Sequence, residues 1–213
     1  MKALYYFAFI TGWPVGVLYY RSKVYYENKK IQSKKIKGPM IIVSNHTSLL
    51  DWPAIVYAFF GRYIRPIGSE MLFRKKGNAW FFKNIGIIRS ERFVDNYSFL
   101  NVAKDFLLEK KGVIAIYPEA KLPKEEEREN GIRFTHGATY LALDTNVPIL
   151  PVFVLDTKNF KKRTKIVVGT PFMANDYYDE SLTREENISN ITQVLRDKVF
   201  RLRDIIDGKN KEN

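Results

Sequence analysis

A histidine and an aspartate stand at a chemically suggestive spacing, directly after an apolar segment. Residues 41–46 read IIVSNH, and four residues separate His46 from Asp51. An imidazole is well suited to removing a proton from an alcohol near neutral pH. A carboxylate bonded to the other ring nitrogen fixes the tautomer and stabilises the imidazolium that forms. The spacing therefore predicts a general-base dyad of His46 and Asp51, brought together by a short loop.

The dyad needs a strand before it and a helix after it, and the surrounding pattern predicts both. Short apolar runs bounded by Gly or Pro predict strands at 40–44, 64–68, 113–117, 148–155 and 165–169. Helical periodicity predicts helices at 51–60, 96–110, 135–144 and 188–206. This alternation predicts an α/β fold with a mixed, partly parallel sheet flanked by helices. Asp51 would begin the first of these helices and could also act as its cap.

An uncharged run at the N-terminus precedes this predicted domain. Residues 3–20 carry no charge and lie between Lys2 and Arg21. A helix of that length is at the lower limit for crossing a bilayer core of about 30 Å. Gly12, Pro14 and Gly16 interrupt the run, which predicts a broken membrane-embedded hairpin or an interfacial helix. The alternative is a buried N-terminal helix.

A strongly basic segment follows the uncharged run. Residues 21–37 carry seven basic residues and one acidic residue, half of the chain's net charge of +12. Such a cluster attracts anionic phospholipid and marks its side of the membrane as cytoplasmic. We therefore expect a membrane-docking helical segment and basic linker at 1–37, a folded domain at 38–213, and a protein at the cytoplasmic face of a membrane.

Composition and motifs argue against several other classes of protein. The chain has no Cys, and its two histidines are His46 and His136, so we expect no metal and no cofactor. A basic nucleic-acid-binding module would fit the pI near 9.7, but the sequence lacks a recognition motif, so we expect no nucleic acid. A serine hydrolase using Ser44 or Ser48 would lack the G-x-S-x-G pattern.

Four blocks of sequence, in order, resemble the PlsC-like glycerolipid acyltransferases, the lysophosphatidic acid acyltransferase family. Residues 45–51, NHTSLLD, match the family's NH-x4-D motif. Residues 83–89, KNIGIIR, resemble its second block, and residues 117–119, YPE, resemble the start of its FPEGTR block. Residues 147–152, VPILPV, resemble its proline-containing fourth block. The resemblance covers about residues 38–170.

The third block departs from the family pattern. Ala120, Lys121 and Leu122 stand where the family has Gly-Thr-Arg, and an acidic patch, KEEERE, follows at 124–129. Lys121 keeps a cation nearby, but a lysine cannot reproduce the bidentate fork of an arginine. The departure keeps the reaction type and leaves the acceptor lipid open.

The resemblance implies a reaction and its partners. It implies transfer of a fatty acyl group from acyl-carrier protein or coenzyme A to the sn-2 hydroxyl of 1-acyl-glycerol-3-phosphate, giving phosphatidic acid. His46 would act as the general base, with Asp51 steadying its ring. The alternative is the same reaction on another lysophospholipid or on a hydroxylated lipid.

The resemblance also implies a set of substrate-binding residues. A guanidinium suits the acceptor phosphate, so Arg89 is the first candidate, with Lys83 and Lys121 as secondary cations. Gly86 would allow the backbone to approach the ligand closely. Glu119 would organise the cations or accept a glycerol hydroxyl. Backbone N–H groups near His46 are expected to stabilise the developing oxyanion.

Overall fold

A twisted sheet built mostly from parallel strands carries the site. The computed structural model describes residues 2–31, 35–59, 61–91, 98–122, 132–155, 157, 161–206 and 208. Within these residues the strands are β1 (Lys23–Tyr26), β2 (Met40–Ser44), β3 (Ile64–Ser69), β4 (Ile88–Ser90), β5 (Val113–Ile116), β6 (Ile149–Leu155) and β7 (Lys165–Val168). They are ordered β1-β7-β6-β2-β5-β3-β4, and only β6 and β7 pair antiparallel. The predicted mixed α/β fold is confirmed.

Strand β2 lies in the middle of this sheet and leads directly into the predicted dyad. All five of its residues are buried, and it pairs in parallel with β5 on one side and β6 on the other. A parallel strand covered on both faces is expected to be a continuous apolar run, as MIIVS nearly is. Ligands in open α/β sheets bind outside the carboxyl ends of the strands, which is where Asn45 and His46 stand.

Helices pack on the sheet and connect its strands. In the described residues they are α1 (Lys2–Thr11), α2 (Trp13–Tyr20), α3 (Asp51–Ala58), α4 (Lys76–Ile85), α5 (Ser98–Leu108), α6 (Gly137–Thr145), α7 (Arg184–Arg201) and α8 (Arg203–Ile206). A reciprocal capping box between Thr183 and Glu186 begins α7. Its apolar stripe is buried, with Ile191 and Val199 fully enclosed in the core, whereas Ile206, the end of the predicted helix, lies in α8 and is half-buried. The stripe is therefore core packing.

Two strands and one helix were not predicted. Strands β1 and β4 are the two edges of the sheet and contain four and three residues, too few for a clear alternation of apolar and polar positions. Helix α4 contains Gly77 and exposed aromatic residues, which obscure its periodicity. Residue 60 and residues 96–97 of the predicted helices, and the acidic patch 124–129, lie outside the described residues.

The basic segment 21–37 is more than the linker we expected. Its residues 23–26 form β1, which pairs in parallel with β7 from Lys23 opposite Lys165 to Tyr26 opposite Val168. Glu27 continues this edge, because its carboxylate accepts the Thr170 N–H at 2.6 Å and pairs with Arg201 at 2.8 Å. The high charge of this segment led us to predict a linker, and the strand within it was missed.

The N-terminal run is broken as the sequence predicted. Helix α1 ends at Thr11 and α2 begins at Trp13, since Pro14 has no N–H to donate to the preceding turn. One side of the pair packs on the domain: Tyr5 is 1% exposed and donates its hydroxyl to the Arg62 carbonyl at 3.0 Å. Of the helices in the described part of the chain, none is both long and apolar enough to cross a bilayer.

Candidate active site

His46 and Asp51 meet at the carboxyl end of β2. The Nδ1 atom of His46 lies 3.0 Å from Oδ2 of Asp51. Asp51 is the first residue of α3 and is fully buried, whereas the His46 side chain is 17% exposed. Because a carboxylate oxygen accepts, the contact fits the tautomer with hydrogen on Nδ1, and in that neutral tautomer Nε2 has the lone pair. The loop of four residues thus brings the two side chains into the geometry of a general-base dyad.

Asp51 is held by four further hydrogen bonds. Its Oδ2 accepts the backbone N–H groups of Thr47 at 2.6 Å and Ser48 at 2.8 Å. Its Oδ1 accepts the hydroxyls of Thr47 at 2.8 Å and Thr157 at 2.6 Å. The carboxylate therefore organises the whole loop that carries His46, in addition to orienting the imidazole.

Thr157 was not found from the sequence, although it is 1% exposed and bonded directly to the dyad. It lies two residues beyond the end of β6, the parallel neighbour of β2. The carboxyl ends of neighbouring parallel strands meet at one edge of a sheet, so its position becomes meaningful once the strand order is known.

Asn45 ties the same loop to β6. Its amide nitrogen donates to the Val154 carbonyl at 2.9 Å, and its amide oxygen accepts the Val154 N–H at 2.7 Å. This pair of bonds replaces a rung of the sheet beyond Ser44, where β2 ends. The Asn of the motif therefore has a structural task, which is to fix the strand end from which His46 projects.

The two serines near His46 are engaged elsewhere. The Ser44 hydroxyl donates to the Asn45 side chain at 3.3 Å, and the Ser48 hydroxyl accepts the Leu50 N–H at 2.9 Å. Both serines are 1% exposed, and no hydrogen bond among the described residues joins either of them to His46. The arrangement does not favour the serine hydrolase alternative.

Tyr117 covers one face of the His46 ring. Their ring centroids are 4.6 Å apart with an interplanar angle of 29°, which is a stacked arrangement. Tyr117 directly follows β5, the other neighbour of β2, and burial raises the pKa of its hydroxyl well above the ordinary value of 10.0. With Nδ1 bound to Asp51 and one face stacked on Tyr117, the imidazole is fixed in orientation.

Glu119 supports the loop from the β5 side. It is 4% exposed, and its Oε1 accepts the backbone N–H of His46 at 3.2 Å. The backbone N–H groups of His46, Thr47 and Ser48 are thus all directed at carboxylates. Each of these three N–H groups already has an acceptor, so they do not support our expectation that N–H groups of this loop stabilise an oxyanion.

A cavity of about 1150 Å³ opens beside His46. Its walls are mainly apolar. They include Ile67, Leu72, Phe82, Phe99 and Ile116. A mainly apolar space with a few polar side chains in its wall is suited to a ligand that has a hydrocarbon chain and a polar, reactive head. His46 is one of those polar side chains.

None of the five predicted substrate-binding residues, Glu119 included, is among the described residues that line this cavity. Lys83 is exposed in the last turn of α4, Arg89 is exposed on β4 and pairs with Glu91 at 3.4 Å, and Lys121 is exposed after β5. Gly86 ends α4 with φ of +98°, and a Cβ there would collide with the Tyr63 hydroxyl. The glycine is thus required by a helix end and by packing, and no ligand is needed to explain it.

Comparisons with known proteins agree with this geometry. The sequence model of the acyltransferase family matches residues 23–155. Human 1-acyl-sn-glycerol-3-phosphate acyltransferase beta is 26% identical over 159 residues, which are 73% of this chain and 55% of the human protein. The human alpha protein is 27% identical over 136 residues, 62% of this chain and 46% of that protein. The chain spans about half the length of the curated relatives it matches.

A solved structure shows the same fold. The crystal structure of the 1-acyl-sn-glycerophosphate (LPA) acyltransferase PlsC from Thermotoga maritima superposes with a TM-score of 0.60 and 23% identity. The superposition covers 95% of this chain and 79% of the PlsC chain. The resemblance drawn from the four sequence blocks is confirmed. Because the family match covers more than half of the sequence and includes both His46 and Asp51, the chain belongs to the acyltransferase family.

Proposed function

We propose that this protein transfers a fatty acyl group to the sn-2 hydroxyl of 1-acyl-glycerol-3-phosphate. The donor is an acyl thioester of acyl-carrier protein or of coenzyme A. The observation that carries the proposal is the His46–Asp51 pair, 3.0 Å apart, with His46 in the wall of a large, mainly apolar cavity. The acyltransferases similar to this chain are named for that acceptor, which supports the same acceptor here.

The reaction follows from the geometry of the imidazole. Nε2 of His46 takes the proton of the acceptor hydroxyl as the oxygen attacks the thioester carbonyl. The tetrahedral intermediate then expels the thiolate, which receives a proton from the imidazolium, so that an ester and a free thiol are formed. Asp51 stabilises the imidazolium between these steps. The reaction needs no acyl-enzyme and no cofactor.

The test is product formation by purified protein with a labelled long-chain acyl thioester and a panel of lysolipids. Both donor types are supplied in separate reactions. The proposal predicts labelled phosphatidic acid, identified by mass spectrometry, as the main product with 1-acyl-glycerol-3-phosphate. Failure to form an ester with any acceptor and either donor would contradict it.

A second acceptor has a specific observation in its favour. Leu122, which stands where the family's third block has Arg, is 41% exposed and lines the cavity. An apolar side chain at this position favours an acceptor with a different head group, either another lysophospholipid or a hydroxylated lipid. Labelled product with such a lipid, and none with 1-acyl-glycerol-3-phosphate, would select this alternative.

We also propose that α1 and α2 dock on the cytoplasmic face of a membrane. Their outer side exposes Phe7 (65%), Ile10 (57%), Val15 (70%) and Leu18 (68%). Clustered exposed apolar residues are typical of membrane or partner contacts. The basic segment 21–37 would place cations next to anionic headgroups.

Substitutions on this outer side test the docking without removing core residues. Deleting residues 1–20 would also delete the buried Tyr5 and Tyr20, so the result could reflect unfolding. Replacing Phe7, Ile10, Val15 and Leu18 with Ser leaves the packed side intact. The variant should no longer sediment with anionic vesicles that pellet the unmodified protein. Equal sedimentation of the two would show that the membrane contact lies elsewhere.

A further inference from the structure

The cavity beside His46 contains one permanent cation in the described part of the chain, and the sequence did not single it out. Among the described lining residues, Arg133 is the only lysine or arginine. Arg89, Lys83 and Lys121, which were predicted to hold the acceptor phosphate, do not line the cavity. A guanidinium presents a rigid fork of donors that matches a phosphate.

Arg133 lies where it could replace a missing charge. Leu122 occupies the position at which the family's third block has Arg, and Leu122 and Arg133 line the same cavity. The two residues stand at the two ends of the segment whose middle, 123–131, lies outside the described residues. Arg133 therefore supplies a guanidinium to the wall of the cavity to which the third block contributes Leu122.

The backbone around Arg133 is fixed to the wall that carries the dyad. The Thr135 N–H donates to the Pro118 carbonyl at 2.7 Å, directly between Tyr117 and Glu119. Phe134 is 2% exposed, and the Ile132 carbonyl accepts from Arg196 at 3.4 Å. These contacts on both sides fix the backbone at Arg133, and its exposed side chain extends from that backbone along the cavity wall.

The charge of Arg133 is not matched by an acid in the described cavity wall. The acidic residue among the described lining residues is Glu91, and its carboxylate pairs with Arg89 at 3.4 Å. None of the ion pairs among the described residues contains Arg133. An anionic ligand in the cavity would therefore pair with Arg133 without breaking an ion pair among the described residues.

We propose that Arg133 binds the phosphate of the acceptor lysophospholipid, a role that rests on the proposed function. In 1-acyl-glycerol-3-phosphate the phosphate is attached to the carbon next to the one that bears the reacting hydroxyl. A hydroxyl that meets Nε2 of His46 therefore keeps its phosphate in the same cavity. Coenzyme A also carries phosphates, and the kinetic experiment separates the two sources.

The experiment compares Arg133→Gln and Arg133→Lys with the unmodified full-length protein. Arg163→Gln is the matched control, because Arg163 is exposed and does not line the cavity. Initial rates are measured against acceptor at saturating acyl-coenzyme A, and against acyl-coenzyme A at saturating acceptor. Circular dichroism and thermal unfolding verify that each variant is folded.

The two substitutions at Arg133 should raise the acceptor KM by different factors. Loss of a charge-assisted contact in Arg133→Gln should raise the acceptor KM about ten- to a hundredfold, with an intermediate rise for Arg133→Lys. The donor KM should stay within about twofold, as should every constant of Arg163→Gln. An unchanged acceptor KM in Arg133→Gln would overturn the assignment, and a rise confined to the donor KM would assign Arg133 to coenzyme A instead.

Direct binding keeps this test separate from the proposed reaction. Calorimetric titration with a short-chain 1-acyl-glycerol-3-phosphate, below its micelle concentration, needs no turnover. If the protein forms no phosphatidic acid but binds this lipid at least tenfold more tightly than Arg133→Gln does, the proposed function fails while the phosphate site stands. Equal binding by the two proteins, or no binding by the unmodified protein, would overturn the phosphate site.

Discussion

At the residue scale, Asp51 is the side chain on which the site depends. Its carboxylate accepts hydrogen bonds from the imidazole, from two backbone N–H groups and from two hydroxyls. Asp51→Asn would place an NH₂ group against donors and would disturb the His46 tautomer. We expect kcat to fall about 10²- to 10⁴-fold. A kcat within about threefold of the unmodified enzyme, measured with folded protein, would show that His46 does not need this partner.

Thr157 offers a finer test, because it touches Asp51 and not the ring. Thr157→Val keeps the shape and removes the hydroxyl that donates to Oδ1 at 2.6 Å. We expect a loss of about tenfold in kcat with little change in the acceptor KM, since Thr157 is not among the described residues that line the cavity. Thr157→Ser should restore most of the rate. Equal loss in the Val and Ser variants would point to packing and not to the hydrogen bond.

At the scale of elements, the turn after β5 carries local strain. Ala120 has φ of +56°, a left-handed conformation that favours glycine, and glycine is the residue the family has there. Ala120→Gly should therefore raise the free energy of unfolding by about 1 kcal/mol in a denaturant titration. The control, Ala79→Gly within α4, should lower it by a similar amount. If both substitutions were destabilising, the turn would not be strained.

The edge formed by β1 predicts a pH dependence. Burial alone would raise the pKa of Glu27, but hydrogen bonds from Thr170 and Arg201 outweigh burial and hold the pKa below its ordinary value of 4.5. A lowered pKa contributes stability that is present above pH 4.5 and is lost as the pH falls through the folded-state value.

Glu27→Gln measures this contribution. The substitution should lower the free energy of unfolding near neutral pH, and the difference from the unmodified protein should shrink as the pH falls below 4.5. Urea titrations at several pH values check both parts. A difference that stays constant over this range would mean that the Glu27 carboxylate is not stabilised by its partners.

At the scale of the whole molecule, some contacts of the site could be predicted from the sequence, and others could be found only once the order of strands in the sheet was known. His46 and Asp51 are close in sequence, so their apolar strand and short loop were sufficient to predict their contact. Thr157 and Tyr117 come from the strands on either side of β2, and only the order of strands brings them to His46. Arg133 joins the cavity through a segment with no strong periodicity, so its position required the structure.

The cations predicted for the acceptor phosphate show what a sequence block leaves open. Lys83 and Arg89 were selected by their order in a sequence block, and nothing in that order shows which way a side chain faces. In the structure the Arg89 side chain is exposed on the edge strand β4 and pairs with Glu91, and the Lys83 side chain is exposed in the last turn of α4. Their predicted contact with the acceptor remains a prediction, and the cavity favours Arg133.

The central claim is that His46 is the general base of an acyl transfer, and one substitution tests it most directly. Initial rates of phosphatidic acid formation are measured for the unmodified protein and for His46→Ala, with matched circular dichroism spectra and unfolding midpoints. The account predicts that His46→Ala loses about 10²- to 10⁴-fold in kcat while remaining folded. A folded His46→Ala protein that retains near-normal activity would contradict it.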